Sequence, residues 1–131
     1  MLQNARLLLV PLALLILCTE PARTQSLEVL GTARTNNHTA NLDFRIAPHQ
    51  AHASAIRIRS GSLATMLLGI EIEFADGGLE RAQLQEALAP GQQSRPLPID
   101  SRRAMRRVSI SIQPGLRAGE TAIQLLGHVK P

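Results

Sequence analysis

Four arginines within six residues carry the side chains best placed for chemistry. They belong to the run Arg102-Arg103-Ala104-Met105-Arg106-Arg107. Guanidinium groups bind phosphate, sulfate and carboxylate through paired hydrogen bonds. The run therefore indicates either a basic turn that faces water or an anion-binding module built from Arg102, Arg103, Arg106 and Arg107. The solvated turn is the simpler interpretation, and the anion-binding module is kept as the alternative.

The histidines do not form a convincing metal site. His49 and His52 have the spacing of a ligand pair, but a structural zinc takes four ligands and a catalytic zinc takes three plus water. His38 and His128 are distant in sequence, and the single cysteine is Cys18. We expect a solvated loop at 49–52, with no metal and no cofactor.

Carboxylates and serines also lack a catalytic arrangement. Glu71 and Glu73 alternate along one segment, which is typical of a solvated strand face paired with arginines. No serine lies in a Gly-x-Ser-x-Gly nucleophile elbow, and the serines fall at turns or at outward strand positions. We therefore expect a protein that is not an enzyme.

The elements that must position these residues are predicted to be strands. Apolar and polar residues alternate at 55–59, 69–74 and 108–112, and a period of two indicates strands with one buried face. Shorter apolar segments at 27–33, 42–47, 95–99 and 121–129 are separated by Gly, Pro and Asp turns at 60–62, 76–78, 89–91 and 113–115. This pattern predicts an all-β fold, a single small jelly-roll-like β-sandwich of about seven to eight antiparallel strands. Its predicted core is Ile56, Ile58, Ile70, Ile72, Phe74, Val108, Ile110, Ile112, Ile123 and Leu125.

Local and global signals disagree between residues 79 and 89. Good helix formers fill the segment Leu79-Glu80-Arg81-Ala82-Gln83-Leu84-Gln85-Glu86-Ala87-Leu88-Ala89. The preceding Asp76-Gly77-Gly78, however, is a hairpin signal that requires a returning strand. We predict a strand over 79–84 with Ala82 extended, followed by an irregular crossing over 85–91.

The N-terminus has the layout of a secretory signal. Arg6 precedes an apolar run from Leu7 to Leu17, which is too short to span a bilayer as a helix. We expect a cleaved signal peptide over 1–26 and a β-sandwich domain over 27–131. The alternatives are an uncleaved membrane anchor or a buried core helix. A lipid on Cys18 is a further alternative, although Leu17 is large for lipidation.

Several turn and core segments resemble a family of small exported bacterial β-sandwich domains of unknown function. The likeness covers nearly the whole mature chain and is carried by the following segments: Ile70 to Gly77, Ala89-Pro90-Gly91, Ser94 to Ile99, Arg102 to Val108, and Thr121 to Gly127. It implies a sandwich fold and brings no catalytic residues. Domains of this family often carry strand tryptophan or tyrosine, and this chain has neither.

The amino-acid composition limits the classes of partner that this chain is expected to bind. The formal net charge is only +4, and Phe44 and Phe74 are the sole aromatic residues, which disfavours nucleic acid because single strands stack on aromatics. We expect a periplasmic or secreted bacterial protein, a non-enzymatic binding or envelope-associated domain. Its partner would be an envelope or extracellular molecule, with no nucleic acid and no stable membrane insertion.

Overall fold

The computed structural model describes residues 26–36, 38–114 and 119–129, most of which belong to eight strands. The predicted signal segment up to residue 25 and Gly115 of the predicted 113–115 turn lie outside the described residues. A 3-10 turn, Pro48–Gln50, precedes the third strand. The strands are β1 (Ser26–Thr35), β2 (Asn41–Arg45), β3 (Ala53–Arg59), β4 (Thr65–Phe74), β5 (Leu79–Leu88), β6 (Leu97–Pro98), β7 (Met105–Ile112) and β8 (Thr121–Val129).

The strands form two four-stranded antiparallel sheets that pack face to face. Sheet A has the order β1-β8-β3-β6, and sheet B has the order β2-β7-β4-β5. The first strand pairs with the last, the second with the seventh, the third with the sixth, and the fourth with the fifth. The chain therefore winds as one long hairpin around two sheets, which is the jelly-roll arrangement and confirms the predicted all-β sandwich.

The inward positions of the alternating strands build the core between the sheets. All ten residues predicted for the core are buried, with Val108, Ile110, Ile123 and Leu125 completely inaccessible. The structure adds buried apolar residues that the predicted core did not include, among them Leu30, Leu42, Phe44, Leu67, Leu88 and Met105. Because buried and more exposed residues alternate along strands such as β2 and β4, the outward residues are free to carry charge.

The hairpin between β4 and β5 has the predicted antiparallel form. Ile70 lies opposite Ala82 in the register, so Ala82 is extended and the helical alternative does not occur. Gly77 adopts φ 89°, a left-handed conformation that glycine reaches without steric cost. Gly78 donates its N–H to Asp76 Oδ1 at 2.7 Å and closes the turn.

The strand predicted over 79–84 is too short, because β5 continues to Leu88. An irregularity in the register lies where Leu67 pairs with Glu86 and Gly69 with Gln83. Gln85 sits in this irregularity at φ 43°, so a bulge absorbs the extra residue and pairing resumes beyond it. Burial of Leu88 stabilises the continuation, and only the residues after it cross to the other sheet.

The strand predicted over 95–99 is longer than the observed β6, which pairs only Leu97 and Pro98 with β3. Pro96 and Pro98 lack an N–H and cannot extend a hydrogen-bonded ladder. Ser94 instead fixes the segment, since its N–H donates to Ile58 O and its Oγ accepts from Ile58 N. Within the described ranges, no helix is long and apolar enough to cross a bilayer.

Candidate binding surfaces

The four arginines predicted as an anion site lie together at the start of β7, and each of them faces a carboxylate. Arg102, in the turn before the strand, contacts Asp100 through Nε to Oδ1 at 3.1 Å. This hydrogen bond holds the pKa of Asp100 below its ordinary value. The Arg102 side chain is otherwise 89% exposed, so this pair is a local surface contact within the turn.

Arg103 joins the turn to the β4–β5 hairpin. Its Nε lies 3.2 Å from Asp76 Oδ2, and its Nη1 lies 3.0 Å from Glu80 Oε1. Its guanidinium carbon stands 3.8 Å from the centroid of the Phe74 ring, a cation–π distance. The hydrogen bond from Arg103 is the main cause that lowers the pKa of Asp76. Only 29% of the Arg103 side chain is exposed, so this arginine has a structural role.

Arg106 and Arg107 share the carboxylate of Glu73. Arg106 donates through Nη2 to Glu73 Oε1, and Arg107 Nε lies 3.8 Å from Glu73 Oε2. The Arg106 hydrogen bond lowers the pKa of Glu73. Arg45 lies opposite Arg107 in the register and lines the same shallow depression, with no carboxylate partner in the ranges the structure covers. Three arginines and one glutamate line this depression, which leaves a local excess of positive charge there.

Elsewhere on the outer face of sheet B, carboxylates accept hydrogen bonds from side chains of neighbouring strands. Arg81 donates from Nε to Glu71 Oε2 at 2.7 Å, which confirms the predicted pairing of the strand carboxylates with arginines. Ser109 donates from Oγ to Asp43 Oδ1 at 2.5 Å, on the neighbouring strands. These pairs follow the cross-strand register, in which Asp43, Ser109, Glu71 and Arg81 lie in one row.

Two serines are more buried than their turn positions predict. Ser60 is 3% exposed and donates its hydroxyl to Ala89 O, while Ser94 is 4% exposed and donates to Arg95 O. Both hydroxyls tie loops to the backbone. Ser60 and Ser94 therefore act in the fold, and turn composition gave no signal of their burial.

The two loop histidines lie in different surroundings. His49 lies in the 3-10 turn, and His52 places Nδ1 2.9 Å from Ser101 O. Among the residues described, no group of three or more His, Cys, Asp or Glu could hold a metal ion.

The outer face of sheet A differs from that of sheet B, because the outward positions of its described strands carry arginine, apolar and neutral polar residues and a histidine, without any Asp or Glu. Cross-strand partners share a face, so this surface follows from the register of β1, β8, β3 and β6. It comprises Leu27, Val29, Thr32, Arg34, Ala55, Arg57, Arg59, Pro98, Ala122, Gln124, Leu126 and His128.

Two cations on this face have no carboxylate partner in the described part of the chain. Arg57 donates from Nε to His128 Nε2 at 3.3 Å, and the exposed Arg59 forms no salt bridge with any described residue. Arg34, at the margin, is matched by Glu120 at 3.1 Å. Sequence reasoning missed this surface because the two arginines are single outward residues of a strand and do not form a run.

A cavity of about 360 Å³ opens between the sheets at one end of the sandwich. Leu63, Met66, Leu88, Ile112 and Pro114 are among its lining residues, and none of the lining residues is ionisable. The hydroxyl of Thr121 in its wall already accepts from the N–H of Leu63 at 3.4 Å. Its described lining therefore offers space and apolar contact but no charged group.

No protein-family model matches the chain, and no curated protein matches it. The solved structures that are distantly similar include the following three. The structure of infectious bursal disease virus Gx strain has a TM-score of 0.35 and 9% identity over 81% of this chain and 32% of that chain. The agarase AgWH50C has a TM-score of 0.41 and 15% identity over 79% of this chain and 23% of that one.

The third is Drosophila NLP-core, whose structure is described as giving insight into pentamer formation and histone binding. It has a TM-score of 0.36 and 14% identity over 77% of this chain and 97% of that chain. This chain spans about a third or less of the length of the viral protein and of the agarase. At such identities and TM-scores, none of these likenesses supports a function for this chain.

Proposed function

We propose that this chain is an exported bacterial binding domain without catalytic activity, which contacts an anionic envelope partner through the outer face of sheet A. The observation that carries the proposal is the absence of Asp and Glu from the outward positions of that face, where Arg57 and Arg59 lie without a carboxylate partner among the described residues. Guanidinium groups that are not neutralised within the protein are available to neutralise a partner.

The pKa directions of three carboxylates make these groups poor candidates for a general acid. A general acid or base works best when its pKa lies near the working pH. Arginine hydrogen bonds instead hold the pKa values of Glu73, Asp76 and Asp100 below their ordinary values. These carboxylates therefore remain ionised and act as partners of cations.

The experiment is co-sedimentation of the purified protein with bacterial envelope fragments at low and high salt. The test variant combines Arg57→Gln with Arg59→Gln. The matched control combines Arg81→Gln with Arg102→Gln, which removes the same charge from exposed arginines elsewhere on the surface. Far-UV circular dichroism and thermal unfolding check that each variant folds.

We expect wild type and control to sediment with the fragments at low salt and to be released by high salt, because screening weakens exposed charge contacts. The test variant should remain in solution. Equal sedimentation of the test variant and the control would overturn the proposal.

A second candidate is an anion-binding module at the basic turn, favoured by the excess of positive charge around Glu73. Arg45, Arg106 and Arg107 line a depression there, whereas Arg102 and Arg103 are matched by nearby carboxylates. Inorganic phosphate added in millimolar amounts should shift the amide resonances of residues 45 and 106 in the wild type but not in an Arg107→Gln variant. Unchanged resonances in the wild type would eliminate this candidate.

A further inference from the structure

Apolar and cationic side chains stand side by side on the outer face of sheet A. Val29, Leu126 and Arg57 occupy one row across three neighbouring strands. Leu27 lies two residues before Val29 on β1, and Arg59 lies two residues after Arg57 on β3. The face therefore has an apolar side toward β1 and a cationic side toward β3.

The apolar side remains open to solvent. Leu27 and Val29 are 43% and 48% exposed, whereas Leu126 is only 3% exposed although it points away from the core between the sheets. Leu126 lies between Val29 and Arg57, so neighbouring side chains cover it. The described residues give the two β1 side chains no such cover on the edge side.

The edge of β1 is poorly suited to pairing with another strand. Its register shifts at Leu30, and a bulge of this kind interrupts a free hydrogen-bonding edge. Gln50 Nε2 donates to Val29 O at 3.3 Å and occupies one of the edge acceptors. A partner is therefore expected to contact the face of sheet A and not the edge of β1.

The size of the face limits the class of partner. Three long strands spaced about 4.8 Å apart, each with roughly eight residues rising about 3.3 Å, give an area of roughly 400 Å². A stable protein complex buries about 800 Å² on each partner. The face is therefore small for a stable complex with another protein. An extended surface that carries many equivalent weak binding sites can be bound through a smaller area.

We infer that this face docks on the surface of an anionic phospholipid bilayer, an inference that rests on the proposed function. Phospholipid headgroups supply phosphate oxygens, which guanidinium groups of Arg57 and Arg59 bind in paired hydrogen bonds. The acyl boundary beneath the headgroups accepts the exposed side chains of Leu27 and Val29. Soluble anionic polymers such as polyphosphate or nucleic acid supply phosphate groups for the arginines. They offer no hydrocarbon layer for Leu27 and Val29.

The mode of contact is peripheral and reversible. Two arginines near a negatively charged membrane contribute about a factor of five each to partitioning, and the attraction fades beyond the screening distance set by salt. Two partly exposed aliphatic side chains add a smaller apolar contribution. No segment of the domain has to cross the bilayer.

The test measures partitioning of the purified protein onto vesicles, with all variants carrying the same N-terminus. One vesicle type mixes phosphatidylglycerol with phosphatidylcholine, and the other is phosphatidylcholine alone. The variants are Arg57→Gln with Arg59→Gln, Leu27→Ser with Val29→Ser, and the control Arg81→Gln with Arg102→Gln. Soluble polyphosphate serves as a competitor that has charge but no hydrocarbon.

We expect wild type and control to bind the anionic vesicles and to bind the neutral ones much more weakly. Loss of the two arginines should weaken binding about 30-fold, and loss of the two apolar side chains should weaken it about tenfold. Equal binding to both vesicle types would overturn the inference. An effect of the arginine change without any effect of the apolar change would identify a purely anionic ligand, and would also overturn it.

The two proposals fail separately. If envelope fragments bind through Arg57 and Arg59 while anionic vesicles do not bind, the lipid inference is wrong and the proposed function stands. If neither preparation depends on these arginines, both are wrong.

Discussion

Replacing Ile110 by alanine tests directly which face of β7 packs into the core of the sandwich. Ile110 is completely buried on β7, the strand that pairs with β2 through Leu42 and with β4 through Ile70. The change removes three carbons, or about 2.4 kcal/mol at about 0.8 kcal/mol for each buried methylene. Because β7 is hydrogen-bonded on both sides, its backbone cannot easily move inward to fill the space.

The remaining cavity raises the cost further. Unfilled volume adds about 24 cal/mol per Å³, which brings the expected loss for Ile110→Ala to about 3–4 kcal/mol, inside the usual range of about 2–5. A domain of this size has a free energy of unfolding of about 5–15 kcal/mol. The change should therefore remove a large share of the stability while the protein still folds.

Urea unfolding followed by far-UV circular dichroism is the suitable assay, since the chain has no tryptophan or tyrosine for fluorescence. The unfolding midpoint of Ile110→Ala should fall with an unchanged m value. Ser109→Ala is the matched control on the opposite face, where loss of an exposed hydroxyl contact to Asp43 should cost within about 0.5 kcal/mol. Similar losses at Ile110 and Ser109 would refute this assignment of faces.

Three further predictions concern export, acid stability and backbone conformation. The protein recovered from an expressing bacterium should lie outside the cytoplasm and begin within residues 23–27, and mass spectrometry that finds residue 1 intact would contradict the signal prediction. Arg103 lowers the pKa of Asp76 from an ordinary 3.8, so Asp76 contributes stability above that pH and loses it as the pH falls through the folded-state pKa. Arg103→Gln should therefore flatten the acid side of the stability profile, and an unchanged urea midpoint profile between about pH 6 and about pH 2 would contradict this. Gly77→Ala should cost about 1 kcal/mol or more because φ is 89° there. Gln85→Gly, at φ 43°, should be neutral or stabilising by up to about 1 kcal/mol; thermal unfolding of the two variants measures the difference, and a stable Gly77→Ala would show that the turn relaxes.

The sequence by itself determined which segments are strands and which of their residues face inward. Alternation of period two is a local property, because successive side chains of a strand point to opposite sides whatever the strand pairs with. Ile110 and Ser109 are therefore assigned to opposite faces by the sequence pattern alone. The hairpin at Gly77 was equally local, since its turn requires a left-handed residue.

The positions at which strands end could not be predicted from the local sequence pattern alone. The continuation of β5 beyond Leu84 depends on a bulge at Gln85 and on burial of Leu88 by the opposite sheet. Neither feature is encoded in the propensity of the segment, whose composition favours a helix. Tertiary packing decided the outcome because helix propensities differ by only fractions of a kcal/mol per residue.

The candidate sites also separate what the sequence pattern predicts from what tertiary structure decides. The run 102–107 predicts an anion site because its charges are adjacent in sequence. In the fold, however, Arg103 pairs with Asp76 and Arg106 pairs with Glu73 on other strands and turns. Arg57 and Arg59 look like ordinary outward residues until the order β1-β8-β3 shows that no carboxylate of the described strands shares their face. Charge balance on a surface depends on which strands become neighbours, and in this protein that neighbourhood is set by the winding of the whole chain.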